Sequence, residues 1–589
     1  MRDRWITDWP TSQRFPHYTR ANAGEVLADP VSPLGWTFGW DAGIVAGYRS
    51  GLIRCGAYEA SDFDADHPES VALFGGYFYI NLSAIRMQGV RNPAATVELL
   101  DQAFFGDHPD VPPYVAHPDD DKPHLVPAIE SHTAWVMSGD PWAELDHDKA
   151  AAASLRATRG DLASLPDDGL LQRARQVQAQ LAHLFEQHVV SGSSSAVAPG
   201  LLGAVAAALD EPGLPMAVLS SLGQVDSADA NYALWHLSRL VRNEPQLVAA
   251  FDDGVDGLVE QIASPELSAE WSAFVGAWNE FLDEFGSRGP DEWDLRSPTW
   301  ETHPLLALAA LDRVRLQSDA ESPQLRHAAR AAEREALVAS ARDRLAGDAA
   351  TLALLDAGLL AGRMMAHRER TKTTIVRVLH EARMAFRELG ARHGHDDLVF
   401  QLLDSELDAY VADPDLFTNR LEARHAEWRE LFALEPPFII ADATVPPLSQ
   451  WARRDARRVE TAAAGTVLTG VAGSPGRARG IARVILEPGD PGDLQPGDVL
   501  VAPNTDPSWT PLFMSAAAVV VDVGGQISHA VIVSRELGVP CVVSVTAATQ
   551  RIADGAMIEV DGSSGSVTIV SLPTHRPGPH PDPHPESDS

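Results

Sequence analysis

The hydrophobic period of this chain changes once, and that change constrains its architecture more than any other feature. From about residue 131 to 435 apolar residues recur at intervals of three and four, as in LLQRARQVQAQLAHLFEQHVV (170–190) and ALWHLSRLVRNEPQLVAAF (233–251), which predicts amphipathic helices. EWSAFVGAWNEFLDEFG (270–286) ends on a glycine suited to a helix C-terminus, and Gln324 to His393 reads as long helices with solvated charged faces. From Thr466 the apolar runs become short and are separated by glycine and proline, a strand pattern. Residues 1–130 are mixed, with short runs such as ALFGGYFYINL (72–82). PPFII (436–440) is expected to stop the last helix, and 441–465, with two prolines and a basic cluster, reads as a hinge linker. The expected fold class is therefore multidomain, α followed by α/β. A large, mainly helical domain covers 1–440, the linker 441–465, a small α/β domain 466–571, and a Pro- and His-rich tail 572–589 should be disordered.

Composition narrows the partners. The 589 residues carry a net charge of −36, which argues against a nucleic-acid backbone or an anionic membrane surface as the main partner. Any anionic ligand must meet a local basic patch. The N-terminus has no apolar segment of the secretory kind, and no uninterrupted apolar stretch reaches about 18 residues, so no transmembrane helix is expected. Cys55 and Cys541 are far apart and are the only cysteines, which fits a reducing cytoplasm without a disulfide framework. No metal site is expected; the tail histidines read as solvated.

Within the small domain, VVDVGGQISHAVIVSRELGVPCVVSV (520–545) carries the chemistry. Ala517–Val521 reads as a buried strand. Gly524 and Gly525 allow a sharp turn with open amide N–H groups, Ser528 is a suitable N-cap, and a helix is expected over His529–Leu537, stopped by Gly538. His529 then sits at a helix N-terminus, where the helix dipole disfavours an imidazolium and favours a nearby anion. A neutral imidazole there is either a nucleophile that carries a phosphoryl group or a capping or core histidine beside a tight turn.

GGQISHAVIVSRELGVPCVVSV closely resembles the phosphohistidine motif of the PEP-utilising enzyme family, with Ser534 where an alanine is usual. GSPGRARGIARVI (473–485), LQPGDVLVAPNTDPSW (494–509) and IADGAMIEVDGSSGSVTIV (552–570) resemble the flanks of that family's swivelling domain. The resemblance implies that His529 is phosphorylated, that Gly524, Gly525 and Ser528 cradle the phosphoryl group, and that 466–571 swings on the linker. The front part resembles the substrate domain of the rifampicin phosphotransferases within that family. The stretches that carry this are TRANAGEVLADPVSPLGWTFGW (19–40), FGGYFYINLSAIR (74–86), FLDEFGSRGPDEWDLRSPTWETHP (281–304) and RERTKTTIVRVLHEAR (368–383), with Ser287 and Thr299 replacing the family's histidine and arginine. It implies a substrate-binding role for 1–440. Arg368 and Lys372, four apart on one helix face, would grip the transferring phosphoryl group. Glu25 would lie near the acceptor hydroxyl as a proton acceptor, and Arg288 would contact substrate or hold its loop through Asp291 or Asp294. Trp36, Phe38, Trp40 and Trp135 are candidates for an apolar pocket or for core.

The family normally carries an ATP-grasp domain ahead of the substrate domain, and neither that domain nor a P-loop is visible here. ATP and Mg²⁺ are therefore expected on a separate ATP-grasp partner that leaves the β-phosphoryl group of ATP on His529, as in the split phenylphosphate synthases. The expected function is transfer of that group to a hydroxyl of a small organic acceptor. The alternatives are a non-catalytic phosphocarrier, or a protein that binds a hydrophobic ligand and keeps a relic carrier domain.

Overall fold

The computed structural model describes residues 9–573 except 65–68, 94, 106–107, 109, 140–141, 221–225, 320–321, 455–459, 487–493, 506–508 and 526–527. The tail expected to be disordered, save 572–573, lies outside the described residues.

The front of the chain is mostly helical and is built around two long helices, Asp167–Ser195 and Arg363–Arg392, which pack along each other. Small residues let a third helix, Val45–Arg54, approach the first: a Cβ on Gly47 would lie 1.9 Å from the Ala182 carbonyl oxygen. The second long helix is fixed by buried charge. Glu381 is fully buried and accepts from Arg159 at 2.7 Å and Arg173 at 2.6 Å, and His380 Nε2 lies 2.7 Å from Glu301 Oε2. The runs Asp167–Leu209 and Ala349–Arg392 are long and apolar enough to cross a membrane by length and composition alone. They behave here as core helices: the first buries Ala174, Val177 and Leu181, the second buries Glu381 and Arg383.

Fourteen strands are numbered in chain order. β1 (Tyr18–Thr19), β2 (Val71–Phe74), β3 (Tyr77–Asn81) and β5 (Ile439–Ile440) form an antiparallel sheet in the order β2-β3-β1-β5. PPFII therefore does not end a helix. The last helix stops at Leu431, and Ile439–Ile440 pair with Thr19 and Tyr18. β4 (Leu434–Glu435) pairs with β6 (Ala452–Arg453), and Trp451 packs 6.0 Å from the Tyr77 ring, over Gly75. Much of 441–454 is thus fastened to the helical domain. At the other end Ala462 is buried in the small domain's core and its N–H donates to the Arg551 carbonyl. Residues 455–461 lie between these two anchored parts, and 455–459 of them are outside the described residues.

The small domain is an eight-stranded sheet of β7 (Val467–Thr469), β8 (Val471–Ser474), β9 (Arg477–Val484), β10 (Val499–Ala502), β11 (Ala518–Val521), β12 (Cys541–Val543), β13 (Met557–Asp561) and β14 (Ser566–Ser571), in the order β7-β14-β13-β9-β10-β11-β12-β8. β9, β10, β11 and β12 run parallel, and the other pairs are antiparallel. Alternation sends Val519 and Val521 to one face and Ala518 and Val520 to the other, each into its own core. Trp235 and Val314 of the helical domain join the first of these cores, so the small domain is docked. Gln317 Nε2 to Ser515 Oγ (2.9 Å) and Arg330 Nη2 to the Gly538 carbonyl (3.1 Å) add polar contacts.

Candidate phosphoryl-transfer site

His529 opens the helix His529–Leu537, which follows β11 and returns to β12. It therefore stands beyond the carboxyl end of the parallel strands, where open α/β sheets place their ligands. Gly524 is buried, its carbonyl accepts from Ser544 Oγ at 2.5 Å, and a Cβ there would sit 3.1 Å from that of Val543. Ser528 occupies the N-cap position, but its side chain makes no cap bond and its Oγ has no partner among the described residues. The backbone N–H groups of His529 and Gly525 instead face the Glu25 carboxylate, across the domain boundary. The glycine turn is thus closed by Glu25 in this docked state, where the sequence suggested N–H groups open to solvent.

Three cations from the helical domain surround the imidazole. Burial first, then Lys372, Arg288 and Arg368, hold His529 well below the ordinary histidine range, so it is neutral at pH 7. Its Nε2 lies 3.2 Å from Thr510 Oγ1, and its Nδ1 has no partner among the described residues. Arg368 and Lys372 share one face of the Arg363–Arg392 helix, as their spacing predicts. Arg288 comes from the loop after the Ser272–Phe285 helix, and its Nη1 donates to Thr373 Oγ1 at 3.0 Å. Its acidic neighbour is Glu292, 2.9 Å from its Nε, and not Asp291 or Asp294. Lys372 Nζ is 3.8 Å from the same carboxylate. The Glu292 carboxylate is buried and accepts no hydrogen bond, and Arg288 Nη2 is buried without a partner, among the described residues. Buried donors left unpaired are costly, which favours an incoming anion.

Asp291 and Asp294 have a different duty. Asp291 accepts from the Ala28 N–H at 2.9 Å, and Asp294 accepts from the N–H of Ser32 at 2.6 Å and its hydroxyl at 2.5 Å. They tie the turn carrying Glu25 to the loop carrying Arg288. Arg383 holds that loop from below through the carbonyls of Glu292, Asp294 and Leu295. Burial pushes Glu25 up to about 7, against the pull of Arg368, the His529 N–H, Lys372 and the Gly525 N–H. Asn504 Nδ2 donates to the Gly24 carbonyl at 2.6 Å and links the carrier domain to the same turn.

The four aromatic candidates separate. Trp40, on a π-helical stretch Gly35–Ile44, lines a cavity beside Arg368; Trp36 stacks on it from behind and meets Trp9 edge-on. Phe38 meets Phe386 edge-on in the core, and Trp135 packs on Trp142, away from the cavity. Ser287 is buried with a hydroxyl that has no partner among the described residues, and Thr299 bonds to Thr302. Cys55 and Cys541 are both buried free thiols. Among the described residues no three His, Cys, Asp or Glu side chains are grouped to hold a metal ion. Four residues the sequence did not single out belong to this neighbourhood: Glu292 lies inside one of the quoted stretches, Thr510 and Asn504 beside or within another, and His188 is hidden in a helical period.

Residues 187–369 match the family model for the fourth domain of rifampicin phosphotransferase, and residues 494–565 match that for the mobile domain of PEP-utilising enzymes. Among similar proteins are the prodigiosin synthesizing transferase PigC of Serratia marcescens, 32% identical over 61% of this chain, and the rifampicin phosphotransferase of Streptomyces sviceus, 31% identical over 60%. An uncharacterised protein of Mycobacterium tuberculosis is 40% identical over 36% of the chain. The matched stretches cover 40%, 41% and 24% of those relatives, so the chain spans well under half their length. The two matched segments, a helical one of the rifampicin-phosphotransferase type and a carrier-type mobile domain behind it, make the chain similar to PEP-utilising enzymes.

Proposed function

We propose that this protein is the histidine-bearing component of a phosphotransferase, passing a phosphoryl group from His529 to a hydroxyl of a small organic acceptor. The observation that carries the reading is the convergence of Arg288, Arg368 and Lys372 on a neutral, buried His529, with a donor of Arg288 left unpaired. Phosphoryl transfer passes through a loose transition state whose charge lies on the equatorial oxygens, so positioning and cationic stabilisation supply most of the catalysis. The acceptor oxygen forms the new O–P bond as the N–P bond of phosphorylated His529 breaks. The electron pair stays with the imidazole nitrogen, which takes the proton given up by the hydroxyl. Glu25, poised near neutrality, relays that proton.

The phosphoryl donor is proposed to be ATP with Mg²⁺, handled by a separate ATP-grasp protein. The carrier domain would leave the cationic site, using the short connection between its two anchors, and return loaded. The test uses β-labelled ATP with this chain alone and with an active ATP-grasp protein, in wild type and His529→Ala. Acid-labile label on the wild type only, and only with the partner, is expected. Label retained in His529→Ala, or none with an active partner, would sink the reading. Lys372→Met should leave labelling of His529 intact yet slow onward transfer about 10²–10³-fold, the usual loss for one preorganised charge-stabilising group.

A further inference from the structure

One cavity beside the phosphoryl site has no role in what precedes. It encloses about 180 Å³, and Trp40, Tyr58, Phe78, Phe185 and Trp293 form much of its wall. Arg368 is the one charged side chain among its described lining residues, and Val26, next to Glu25, lies on the same wall. The cavity therefore ends at the groups that face His529.

Part of its polar lining is spent on the protein itself. Tyr58 donates to the Ala84 carbonyl at 2.6 Å. Asn81 donates to the Phe15 carbonyl at 2.9 Å and accepts from the Ala84 N–H at 2.8 Å. His188 differs. Its Nδ1 lies 3.0 Å from Thr371 Oγ1, and that hydroxyl donates its own hydrogen to the Arg368 carbonyl at 2.9 Å. The threonine oxygen can then only accept, so His188 Nδ1 carries the proton and Nε2 is left as a bare acceptor. Burial, then Arg368 and Lys372, push this imidazole down to about 3, so it is neutral at any physiological pH. It is a hydrogen-bond acceptor with a fixed tautomer on the wall of an aromatic cavity.

Building on the carrier reading above, we infer that this cavity is the acceptor pocket, that it takes a compact, uncharged, aromatic hydroxyl compound, and that His188 Nε2 accepts the hydrogen bond of that hydroxyl. Flat apolar walls select an aromatic body. The volume is below the roughly 300–1,000 Å³ of pockets for drug-sized ligands, which sets the acceptor's size. Arg368 is already committed to the phosphoryl side, so a carboxylate on the acceptor would compete with the group being transferred. The hydrogen bond to His188 Nε2 seats the hydroxyl beside Arg368 as the acceptor binds, with an oxygen lone pair free for phosphorus, and its hydrogen passes to Glu25 as transfer begins. His188 is thus a substrate-positioning group at a place where the sequence shows only a helical period.

The test is binding of 2-naphthol, naphthalene and 2-naphthoate to the full chain, followed by tryptophan quenching and calorimetry. Wild type should bind 2-naphthol about three- to tenfold tighter than naphthalene, the size of one net hydrogen bond. 2-Naphthoate should bind no better than 2-naphthol. His188→Phe should erase the preference and keep naphthalene binding, His188→Gln should restore part of it, and Gly192→Trp, whose side chain would start from open space on the cavity wall, should abolish both. Equal binding of 2-naphthol and naphthalene by wild type, no binding of either, tighter binding of 2-naphthoate, or a preference that survives His188→Phe would each overturn the inference. Labelling of His529 in wild type is read separately: label without cavity binding removes this inference alone, and cavity binding without label removes the carrier reading and the acceptor role of the cavity, leaving its ligand class and the hydrogen bond of His188 standing.

Discussion

The carboxylate of Glu25 faces the backbone N–H of His529, so a side chain of the helical domain caps the first turn of the carrier helix. That is the position a phosphoryl group on His529 would claim, since helix N-termini favour anions. Glu25 therefore closes the site when the carrier is unloaded and must yield or take a proton when it is loaded.

Because burial holds Glu25 at about 7, its ionised, proton-accepting form grows as pH rises through that value. Acceptor phosphorylation should rise from pH 6 to 8 and level off above. Glu25→Gln should lower kcat and flatten the profile, measured with His529 pre-loaded so that the first half-reaction is excluded. An inflection that persists in Glu25→Gln would assign the titration to another group.

Thr510 Oγ1 lies 3.2 Å from His529 Nε2 and fixes the ring's orientation. Thr510→Val should slow transfer about fivefold, in keeping with about 1 kcal/mol for one hydrogen bond, and leave KM for the acceptor unchanged. Thr510→Ser should behave as wild type. A KM effect without a kcat effect would mean that Thr510 touches the acceptor instead.

Docking of the carrier leans on Asn504 Nδ2 donating to the Gly24 carbonyl at 2.6 Å. Asn504→Asp faces that carbonyl with a second acceptor. With His529 only 5% exposed when docked, its carbethoxylation, followed by mass spectrometry, should speed up about two- to tenfold in the variant. An unchanged rate would show that His529 is not shielded by this contact.

Glu381 is fully buried between Arg159 and Arg173 on the helix that carries Arg368 and Lys372. Glu381→Ala strands two arginines and should cost about 3–5 kcal/mol in denaturant unfolding. Burial pushes this carboxyl up, but its arginine partners outweigh burial and hold it below the ordinary value of 4.5. Its contribution is then complete above that value and is lost as pH falls through the folded value. Glu381→Gln should flatten the acid limb of the stability curve, and an identical acid limb would exclude the linkage.

Local information was enough for the carrier domain. Strand, glycine turn, N-cap position, helix and stop are short-range events, so β11, the helix His529–Leu537 and the stop at Gly538 could be read from 520–545. The helix-face pairing of Arg368 with Lys372 follows from 3.6 residues per turn in the same way. PPFII misled because its strand exists only through pairing with Tyr18–Thr19, a partner no local window contains. The linker misled for the same reason: Trp451 and Ala462 look like spacer residues until each finds its own domain's core.

By itself, then, the sequence determined the order of helical and α/β parts, the place of the histidine at a helix start and the strongly acidic balance of the chain. Only the tertiary structure decided that Glu25, and not Ser528, caps that helix, that Glu292 is the acid beside Arg288 and Lys372, and that His188 turns a bare nitrogen toward an aromatic cavity. The physical reason is range. Helix and turn propensities act over a few residues, whereas a buried charge is settled by whichever partners the fold brings within about 4 Å, however far away they lie in the chain.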